Sequence, residues 1–182
     1  MTIESSVMLG RCRFETELGT CGMAWSSVGI LRVILPGDDR LNDLRGWPLI
    51  SLCSGGHSAV GIPLVATQAI AGICSLLAGR PADLAAITID LSGKTSFSQR
   101  VSMAARTIPA GRTTTYAGLA VLAGSPGSAR AVGQVMARNP VPLLVPCHRV
   151  LGSNGALGGF SAAGGLDTKR RLLAIEAAAP KR

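Results

Sequence analysis

The residues most suited to chemistry lie in one apolar run of the second half of the chain. Cys147 follows Pro146 in this run and is followed at once by His148 and Arg149. A cysteine is a strong nucleophile when a base or a positive charge stabilises its thiolate. Adjacent side chains on a strand point to opposite faces, so His148 would act on Cys147 only from a turn, through a water molecule. The run predicts a nucleophilic cysteine; the alternative is a buried thiol beside a core histidine.

Acidic residues are scarce in the second half, which limits the partners open to His148. Residues 95–182 hold eleven Lys and Arg but only two acids, Asp167 and Glu176, so Glu176 is a candidate to orient the histidine. Residues 1–94 are almost neutral, with seven basic residues against eight acidic ones. The charge of the second half favours contact with a polyanion such as nucleic acid, and the alternative is a solvated basic face.

The elements that must position these residues are mostly helices. Apolar residues on one helical face predict a helix over 97–105, which ends at the Pro-Gly segment 108–111. Thr114 or Thr115 is suited to cap a short helix over 116–122.

A second short helix follows, opened by Ser125 and Pro126 and ending at 139–140. Two short helices joined by a glycine-containing turn predict a helix-turn-helix at about 113–138. The second helix has very few long side chains; its small residues are Gly127, Ser128, Ala129, Ala131 and Gly133. Such a surface permits close approach of another molecule, with Arg130 as its long projection, and the alternative is tight helix packing.

The first half predicts strands, one helix and a linker. The predicted elements are strands over 12–21 and 22–35 around a turn at Gly19 and Thr20, a loop over 38–62, a helix over 65–77, a strand over 87–91 and a linker over 92–94. No charged residue occurs over 46–79, but Pro63 and several polar residues interrupt this stretch, which favours a buried helix over a membrane span.

The cysteines and the first residues of the chain indicate the cellular compartment of the protein. Five cysteines without paired spacing are typical of reduced thiols rather than of a secreted disulfide framework. The first residues lack a basic region followed by an apolar core, so we expect no secretory signal and a cytoplasmic protein. Cys12, Cys21 and His57 lack the compact spacing of a tetrahedral metal site, so we expect no metal.

Six segments, taken in order, carry a specific resemblance. They are 115–116 (TY), 130–133 (RAVG), 139–142 (NPVP), 146–150 (PCHRV), 155–161 (GALGGFS) and 169–173 (KRRLL). On these motifs the chain resembles the O6-alkylguanine–DNA alkyltransferases, also called methylated-DNA–protein-cysteine methyltransferases. The resemblance covers about residues 95–178, and several motifs in order rarely match by chance.

The resemblance implies an α+β protein of two domains. Residues 1–92 would form a ribonuclease-H-like α/β domain. Residues 95–182 would form a mainly α catalytic and DNA-binding domain that contains the helix-turn-helix. The implied function is direct reversal of DNA damage, without any cofactor.

The resemblance also implies roles for the reactive residues. Cys147 would take the alkyl group from O6-alkylguanine, and possibly from O4-alkylthymine, once per molecule. Glu176 would orient His148, which takes the thiol proton through water. Tyr116 would assist departure of the guanine, and Asn139 would hold the turn that presents the cysteine.

Further implied roles concern the DNA and the base pocket. The second helix would enter the minor groove with Ser128, Ala129 and Gly133, while Arg130 fills the gap left by the extruded base. Tyr116 would crowd the adjacent phosphate and so promote that extrusion.

The pocket for the extruded base would be built from a few side chains and backbone groups. Pro142 and Phe160 would form its walls. Backbone groups of Cys147, Val150 and Ser161 would bind the guanine edge.

The expected partner is double-stranded DNA that contains O6-alkylguanine, bound by a monomer without an obligate protein partner or a membrane. One alternative is a non-catalytic lesion sensor on the same fold, a class that lacks the reactive cysteine. A plain helix-turn-helix regulator would need polar base-reading residues near Arg130. A Cys-His hydrolase would leave Arg130 and the basic half unexplained.

Overall fold

Four strands near the start of the chain form one small sheet. A computed structural model describes residues 10–38, 48–50 and 62–179. The strands are β1 (Gly10–Thr16), β2 (Gly19–Trp25), β3 (Ile30–Ile34) and β4 (Leu49–Ile50). The first three form an antiparallel meander and β4 joins β1 in parallel, which gives the order β3-β2-β1-β4. The loop predicted over 38–62 is therefore wrong at β4, and most of that segment lies outside the described residues.

The first hairpin turns two residues earlier than predicted. Thr16 pairs with Gly19, so the turn lies at Glu17 and Leu18 rather than at Gly19 and Thr20. The Thr16 hydroxyl donates to the Gly19 carbonyl at 2.7 Å and accepts from the Leu18 N–H at 3.3 Å. A short polar side chain thus closes the turn, which is a common use of threonine at such positions.

Helix α1 (Leu64–Leu77) confirms the helix predicted over 65–77 and packs against β1. Its buried side chains belong to the hydrophobic core and are Ala66, Ala69, Ile70, Ile73, Cys74, Leu76 and Leu77. No helix in the described part of the chain is both long and apolar enough to cross a membrane.

The strand predicted over 87–91 is wrong. Within the described residues this segment forms a single bridge, in which the Ile30 N–H donates to the Thr88 carbonyl and the Asp90 N–H donates to the Ile30 carbonyl. The carboxylate of Asp90 is buried and accepts hydrogen bonds from the hydroxyls of Ser26 and Ser92. These hydrogen bonds hold Asp90 next to Ser26 and Ser92, and among the described residues no strand ladder continues beyond the bridge.

The second half is mostly helical, as predicted. Its elements are α2 (Ser96–Arg106), β5 (Thr114–Thr115), α3 (Tyr116–Leu122), α4 (Ala129–Ala137), β6 (Val150–Leu151) and α5 (Gly165–Ala178). The Thr115 hydroxyl accepts from the Gly118 N–H at 3.0 Å, which confirms a threonine cap at the start of α3. β5 and β6 pair in parallel and so connect the start of α3 with the end of the Cys147–Arg149 turn.

Helix α4 begins later than predicted. Residues 125–128 form a turn in which Gly127 has a positive φ and the Ser128 hydroxyl donates to the Ser125 carbonyl at 2.6 Å. Ser125 and Pro126 therefore precede the helix rather than open it. α3 and α4 pack against each other.

The described residues form a mixed α/β protein with five helices and a small sheet. The finer assignments, a ribonuclease-H-like domain over 1–92 and a DNA-binding helix-turn-helix over 113–138, stay predictions. So do the two domain boundaries.

Hydrogen bonds from Arg106 and Val33 are among the contacts that join the first half to the second. The Arg106 side chain, on α2, is buried and its Nη2 donates to the carbonyls of Leu84, Ala85 and Ile87 at 3.2, 2.7 and 2.5 Å. The Val33 N–H, on the edge strand β3, donates to the Pro140 carbonyl at 2.9 Å. The sheet thus touches the segment that leads to Cys147.

The cysteines differ in oxidation state. Cys12, Cys21 and Cys147 are free and buried, whereas Cys74 is disulfide-bonded. The prediction that every cysteine is a reduced thiol is wrong for Cys74. Of the residues weighed for a metal site, His57 lies outside the described residues.

Candidate active site

Asn139 organises the loop that carries Cys147. Its Oδ1 accepts from the Val141 N–H at 3.0 Å, and its Nδ2 donates to the Val145 carbonyl at 2.8 Å. The same Nδ2 donates to Cys147 Sγ at 3.3 Å. One amide side chain therefore closes the loop and points a donor at the sulfur.

The loop between Asn139 and Cys147 is buried and carries a strained residue. Leu143 has a φ of 71°, a left-handed conformation that costs a leucine roughly 1–2 kcal/mol. Its side chain is fully buried among the core residues, and the Val145 N–H donates to the Val141 carbonyl at 2.9 Å. The core and the loop hydrogen bonds together hold this conformation.

Cys147 begins a single 3-10 turn that ends at Arg149. The cysteine is 7% exposed, so burial raises the pKa of its thiol. The Asn139 amide, the Lys169 ammonium and backbone N–H groups act in the opposite direction and lower that pKa. The thiol is thus enclosed but surrounded by groups that favour its thiolate.

His148 is fully buried behind the cysteine and lies against Glu176. Its Nε2 is 2.9 Å from Glu176 Oε1, while its Nδ1 has no hydrogen-bond partner among the described residues. Burial lowers the pKa of His148 more than the hydrogen bond that it donates to Glu176 raises it. A neutral imidazole facing an ionised Glu176 carries its proton on Nε2, which leaves the Nδ1 lone pair free to accept one.

Arg149 is the main partner of Glu176. Its Nε lies 3.0 Å from Oε2 and its Nη2 lies 2.7 Å from Oε1, while Nη1 donates to the Ile108 carbonyl at 2.5 Å. The Gly111 N–H also donates to Glu176 Oε2, at 3.1 Å. Burial by itself would raise the pKa of Glu176, but the hydrogen bonds from His148 and Arg149 outweigh it and lower that pKa to about 2. Glu176 is therefore a fixed negative charge.

Lys169 brings another cation into the interior from α5. Its side chain has no exposed surface, and its Nζ donates to the Val150 carbonyl at 2.7 Å. Burial lowers the pKa of Lys169, and its interaction with Cys147 raises it. Helix α5 thus supplies both Lys169 and Glu176 to the turn that carries the cysteine.

Tyr116 is the first residue of α3 and faces a glycine. A Cβ atom at Gly158 would lie 2.9 Å from the Tyr116 hydroxyl, so only glycine leaves room for the ring there. Gly158 also has a φ of 61°, which favours glycine. Burial raises the pKa of Tyr116, and the charge of Cys147 raises it further, so the phenol keeps its proton.

The other predicted site residues fall into two groups. Pro142 and Val150 are buried, Phe160 is half-buried against the core, and Ser161 is exposed. On α4, Arg130 is exposed at the second helical position, with half-buried Ser128, Ala129 and Gly133 around it.

From residue types alone, no role is predicted for Arg149, Lys169 or Gly111. Arg149 lies within the 146–150 motif, and Lys169 lies seven residues before Glu176, close to two helical turns. That spacing places both side chains on one face of α5, and it is the signal from which Lys169 could have been inferred.

Fold and site together define a small α/β protein with an enclosed cysteine and a His–Glu–Arg cluster behind it. A family model described as "6-O-methylguanine DNA methyltransferase, DNA binding domain" matches residues 96–178. The methylated-DNA–protein-cysteine methyltransferase of Methanothermobacter thermautotrophicus is 37% identical over 155 residues, which cover 85% of this chain and 78% of that protein. The one from Mycobacterium leprae is 45% identical over 109 residues, which cover 60% of this chain and 64% of that protein.

Solved structures agree with the sequence matches. The crystal structure of Mycobacterium tuberculosis OGT in complex with DNA has a TM-score of 0.70 at 29% identity, covering 94% of this chain and 96% of that one. The O6-methylguanine-DNA methyltransferase of the archaeon Pyrococcus kodakaraensis has a TM-score of 0.62 at 25% identity, covering 92% of this chain and 98% of that one.

The chain belongs to the methylated-DNA–protein-cysteine methyltransferase family. The match spans less than two thirds of the length of several relatives, such as 53% of the Mycolicibacterium paratuberculosis protein.

Proposed function

We propose that this protein reverses DNA alkylation directly, by moving the alkyl group of O6-alkylguanine in duplex DNA to Cys147. The observation that carries the proposal is the enclosed Cys147 thiol, held by the Asn139 amide and backed by the His148–Glu176 pair. Family membership adds the substrate class, since the relatives are named for methylated DNA.

The transfer begins with removal of the thiol proton. The S–H bond of Cys147 is broken, and a water molecule relays the proton to Nδ1 of His148, whose lone pair is unengaged. Glu176 stabilises the imidazolium through Nε2 and stays ionised itself, because Arg149 and Gly111 hold its charge.

The thiolate then displaces the guanine. A bond forms between Sγ and the alkyl carbon, the bond from that carbon to O6 breaks, and the electron pair stays with the base. The neutral Tyr116 hydroxyl donates a proton to the leaving guanine. The proton held on His148 then returns through water to the Tyr116 oxygen, so both side chains end neutral. The product is a thioether that carries no leaving group for hydrolysis, so each molecule reacts once.

Access to the base requires its extrusion from the duplex, which costs a few kcal/mol. Exposed Arg130 at the start of α4 is suited to fill the gap in the base stack, and small Ser128, Ala129 and Gly133 permit close approach to the minor groove. In this reading α3 and α4 are a DNA-binding helix-turn-helix, and the basic second half supplies affinity independent of sequence.

The extruded base would enter a pocket walled by Pro142 and Phe160. Backbone groups of Cys147, Val150 and Ser161 would bind the guanine edge. The proposed partner is double-stranded DNA containing O6-alkylguanine, and the protein is proposed to act as a cytoplasmic monomer.

The decisive experiment is the intact mass of the protein after incubation with a duplex that carries one O6-methylguanine. We expect one added methyl group, mapped to Cys147, with none on Cys147→Ala or after incubation with unmodified duplex. Cys12→Ala is the matched control, because Cys12 is also a free buried thiol and should leave the transfer intact. Tight binding to the lesion with an unchanged mass would instead indicate the non-catalytic sensor and contradict the proposal.

A further inference from the structure

The loop that joins Phe160 to helix α5 is built from small residues. Ser161 and Gly164 are exposed in this loop, and Ala162 and Ala163 are half-buried. A segment that buries so little apolar surface opens easily unless hydrogen bonds hold it. Phe160 and Ser161 are proposed to border the extruded base, so the contacts that hold this loop also set the shape of the base pocket.

Thr168, near the start of α5, is hydrogen-bonded to this loop. Its hydroxyl donates to the Ala163 carbonyl at 2.6 Å. Beside this bond, the Gly165 N–H donates to the Ala162 carbonyl at 3.0 Å. The side chain of Thr168 therefore ties the end of the loop to the helix that follows it.

Gly164 leaves the space that the Thr168 hydroxyl occupies. A Cβ atom at Gly164 would overlap Thr168 Oγ1. Any side chain at this position would therefore push the hydroxyl away from the Ala163 carbonyl. The absence of a side chain at Gly164 is thus what permits the bond from Thr168.

Ala163 also lies next to the first half of the chain. The turn after β3 brings Gly37 close to it, because a Cβ atom at Gly37 would lie 3.7 Å from the Ala163 Cβ. The turn itself is closed by the Asp38 N–H, which donates to the Leu35 carbonyl at 3.4 Å. The residue whose carbonyl Thr168 holds therefore has a neighbour from the first half as well.

We propose that Thr168 is a positioning residue whose hydrogen bond to the Ala163 carbonyl holds the loop 160–164 in place and so sets how large an alkyl group the base pocket accepts. The proposal rests on the proposed function, in which Phe160 and Ser161 border the base. Thr168 acts through the loop and takes no part in the transfer of the alkyl group.

A threonine hydroxyl bound to a nearby carbonyl often does no more than stabilise the local backbone. The bond from Thr168 differs because its acceptor lies only two residues after Ser161 and three after Phe160. A loop that is held in one position keeps its contacts to a methylated base preorganised. A loop that is released loses that advantage for the methyl group, but it makes room for a larger one.

The first test compares the rates at which full-length protein takes two alkyl groups from duplex DNA of one sequence. One duplex carries O6-methylguanine and the other carries O6-benzylguanine, and single-turnover rates are measured for wild type, Thr168→Val, Thr168→Ser and Thr107→Val. Thr107→Val is the matched control, because the Thr107 hydroxyl also donates to a carbonyl, that of Ala104 at 2.8 Å, at the end of α2.

We expect Thr168→Val to slow methyl transfer by about fivefold, the change that one hydrogen bond of about 1 kcal/mol produces. Benzyl transfer should slow less or become faster, so the benzyl-to-methyl ratio rises. Thr168→Ser, which keeps the hydroxyl, and Thr107→Val should keep the wild-type ratio. A general loss of stability lowers both rates together and leaves the ratio unchanged. A wild-type ratio in Thr168→Val would therefore overturn the proposal.

Amide hydrogen exchange of the same four proteins tests the hold on the loop without any DNA. Peptides from residues 160–168 should exchange faster in Thr168→Val, but not in Thr168→Ser or Thr107→Val. Unchanged exchange in this segment would overturn the proposal whatever the transfer rates. If wild type takes neither alkyl group while exchange still depends on Thr168, the proposed function is rejected together with the role in alkyl size, and the hold of Thr168 on the loop is confirmed.

Discussion

Glu176 binds three donors with one carboxylate, and this arrangement fixes the charge of the site. Arg149 donates to both carboxylate oxygens, His148 Nε2 donates to Oε1, and the Gly111 N–H donates to Oε2. The donors come from the Cys147–Arg149 turn and from the segment after α2. Glu176 thus joins α5 to both of them while it orients the histidine.

This arrangement predicts how the free energy of unfolding depends on pH. The pKa of Glu176 in the folded protein is about 2, below its ordinary value of 4.5. Its contribution to the free energy of unfolding is therefore complete above pH 4.5 and is lost as the pH falls toward 2. A shift of this size corresponds to roughly 3 kcal/mol. We expect Glu176→Gln to lose this pH dependence and, at pH 7, to lower the free energy of unfolding by about 3–5 kcal/mol, because Arg149 stays buried without its partner.

Urea unfolding from pH 2 to pH 7 measures this. Asp167→Asn is the control, since Asp167 is the other acid of the second half and is exposed. Its curve should parallel that of wild type. A Glu176→Gln curve that also parallels wild type would show that the carboxylate does not carry the acid sensitivity.

At the residue scale, the sequence predicts the candidate reactive residues better than the buried residues that surround them. Cys147 and His148 stand out by type and motif, and Glu176 by the scarcity of acids. Arg149 and Lys169 were not predicted to be buried, because long cationic side chains usually lie at the surface. Their burial depends on carbonyls and charges that other parts of the chain bring to them, and no local pattern records those contacts.

Helix α4 sets exposed Arg130 near its first turn among small residues. The residues that follow on its buried side, Val132 and Met136, fix its rotation against the core. The helix therefore has one buried face and one face with a single long cation near its start.

We expect Arg130→Ala to slow methyl transfer from duplex DNA by roughly ten- to a hundredfold, equivalent to about 1–3 kcal/mol, while affinity for undamaged duplex falls much less. The reason is that Arg130 is proposed to stabilise the extruded state rather than the encounter. The measurements are single-turnover transfer rates and duplex binding at two salt concentrations. Arg138→Ala, an exposed arginine at the other end of α4, is the control and should weaken binding only slightly. Equal loss of transfer in both variants would contradict this role.

Element prediction succeeded where an apolar pattern or a cap marks a helix. α1 and α2 follow from apolar spacing, and α3 follows from its threonine cap. The segment 87–91 alternates like a strand, yet in the described part of the chain it pairs at a single residue, Ile30, and the Asp90 carboxylate accepts from the Ser26 hydroxyl. β4 was missed because two residues are too few to show a period, and their pairing with β1 is set by the tertiary structure.

The two halves of the molecule are joined at points that matter for the site. The β3 edge donates from Val33 to Pro140, next to Asn139, so the sheet supports the loop that presents Cys147. Arg106 holds the segment before the linker against α2. The candidate site lies in the basic half, and the loop that leads to Cys147 is hydrogen-bonded to the neutral half.

We expect Arg106→Met to lower the free energy of unfolding by about 2–4 kcal/mol, because three carbonyls lose a charged donor. It should also make the segment around Ala85 more sensitive to limited proteolysis. Arg100→Met, an exposed arginine of the same helix, should change the free energy by no more than about 0.5 kcal/mol. Similar melting curves and cleavage patterns for the two variants would contradict the role given to Arg106.

Arg106 donates its hydrogen bonds to main-chain carbonyl oxygens, which every amino acid has. Ala85 is exposed, so its carbonyl can be held whatever side chain the position carries. A saturation scan would therefore find strong intolerance at Arg106 and near indifference at Ala85, although the two are in direct contact. Such a contact leaves no covariation between its partners, and methods that infer proximity from paired substitutions would not detect this join between the two halves.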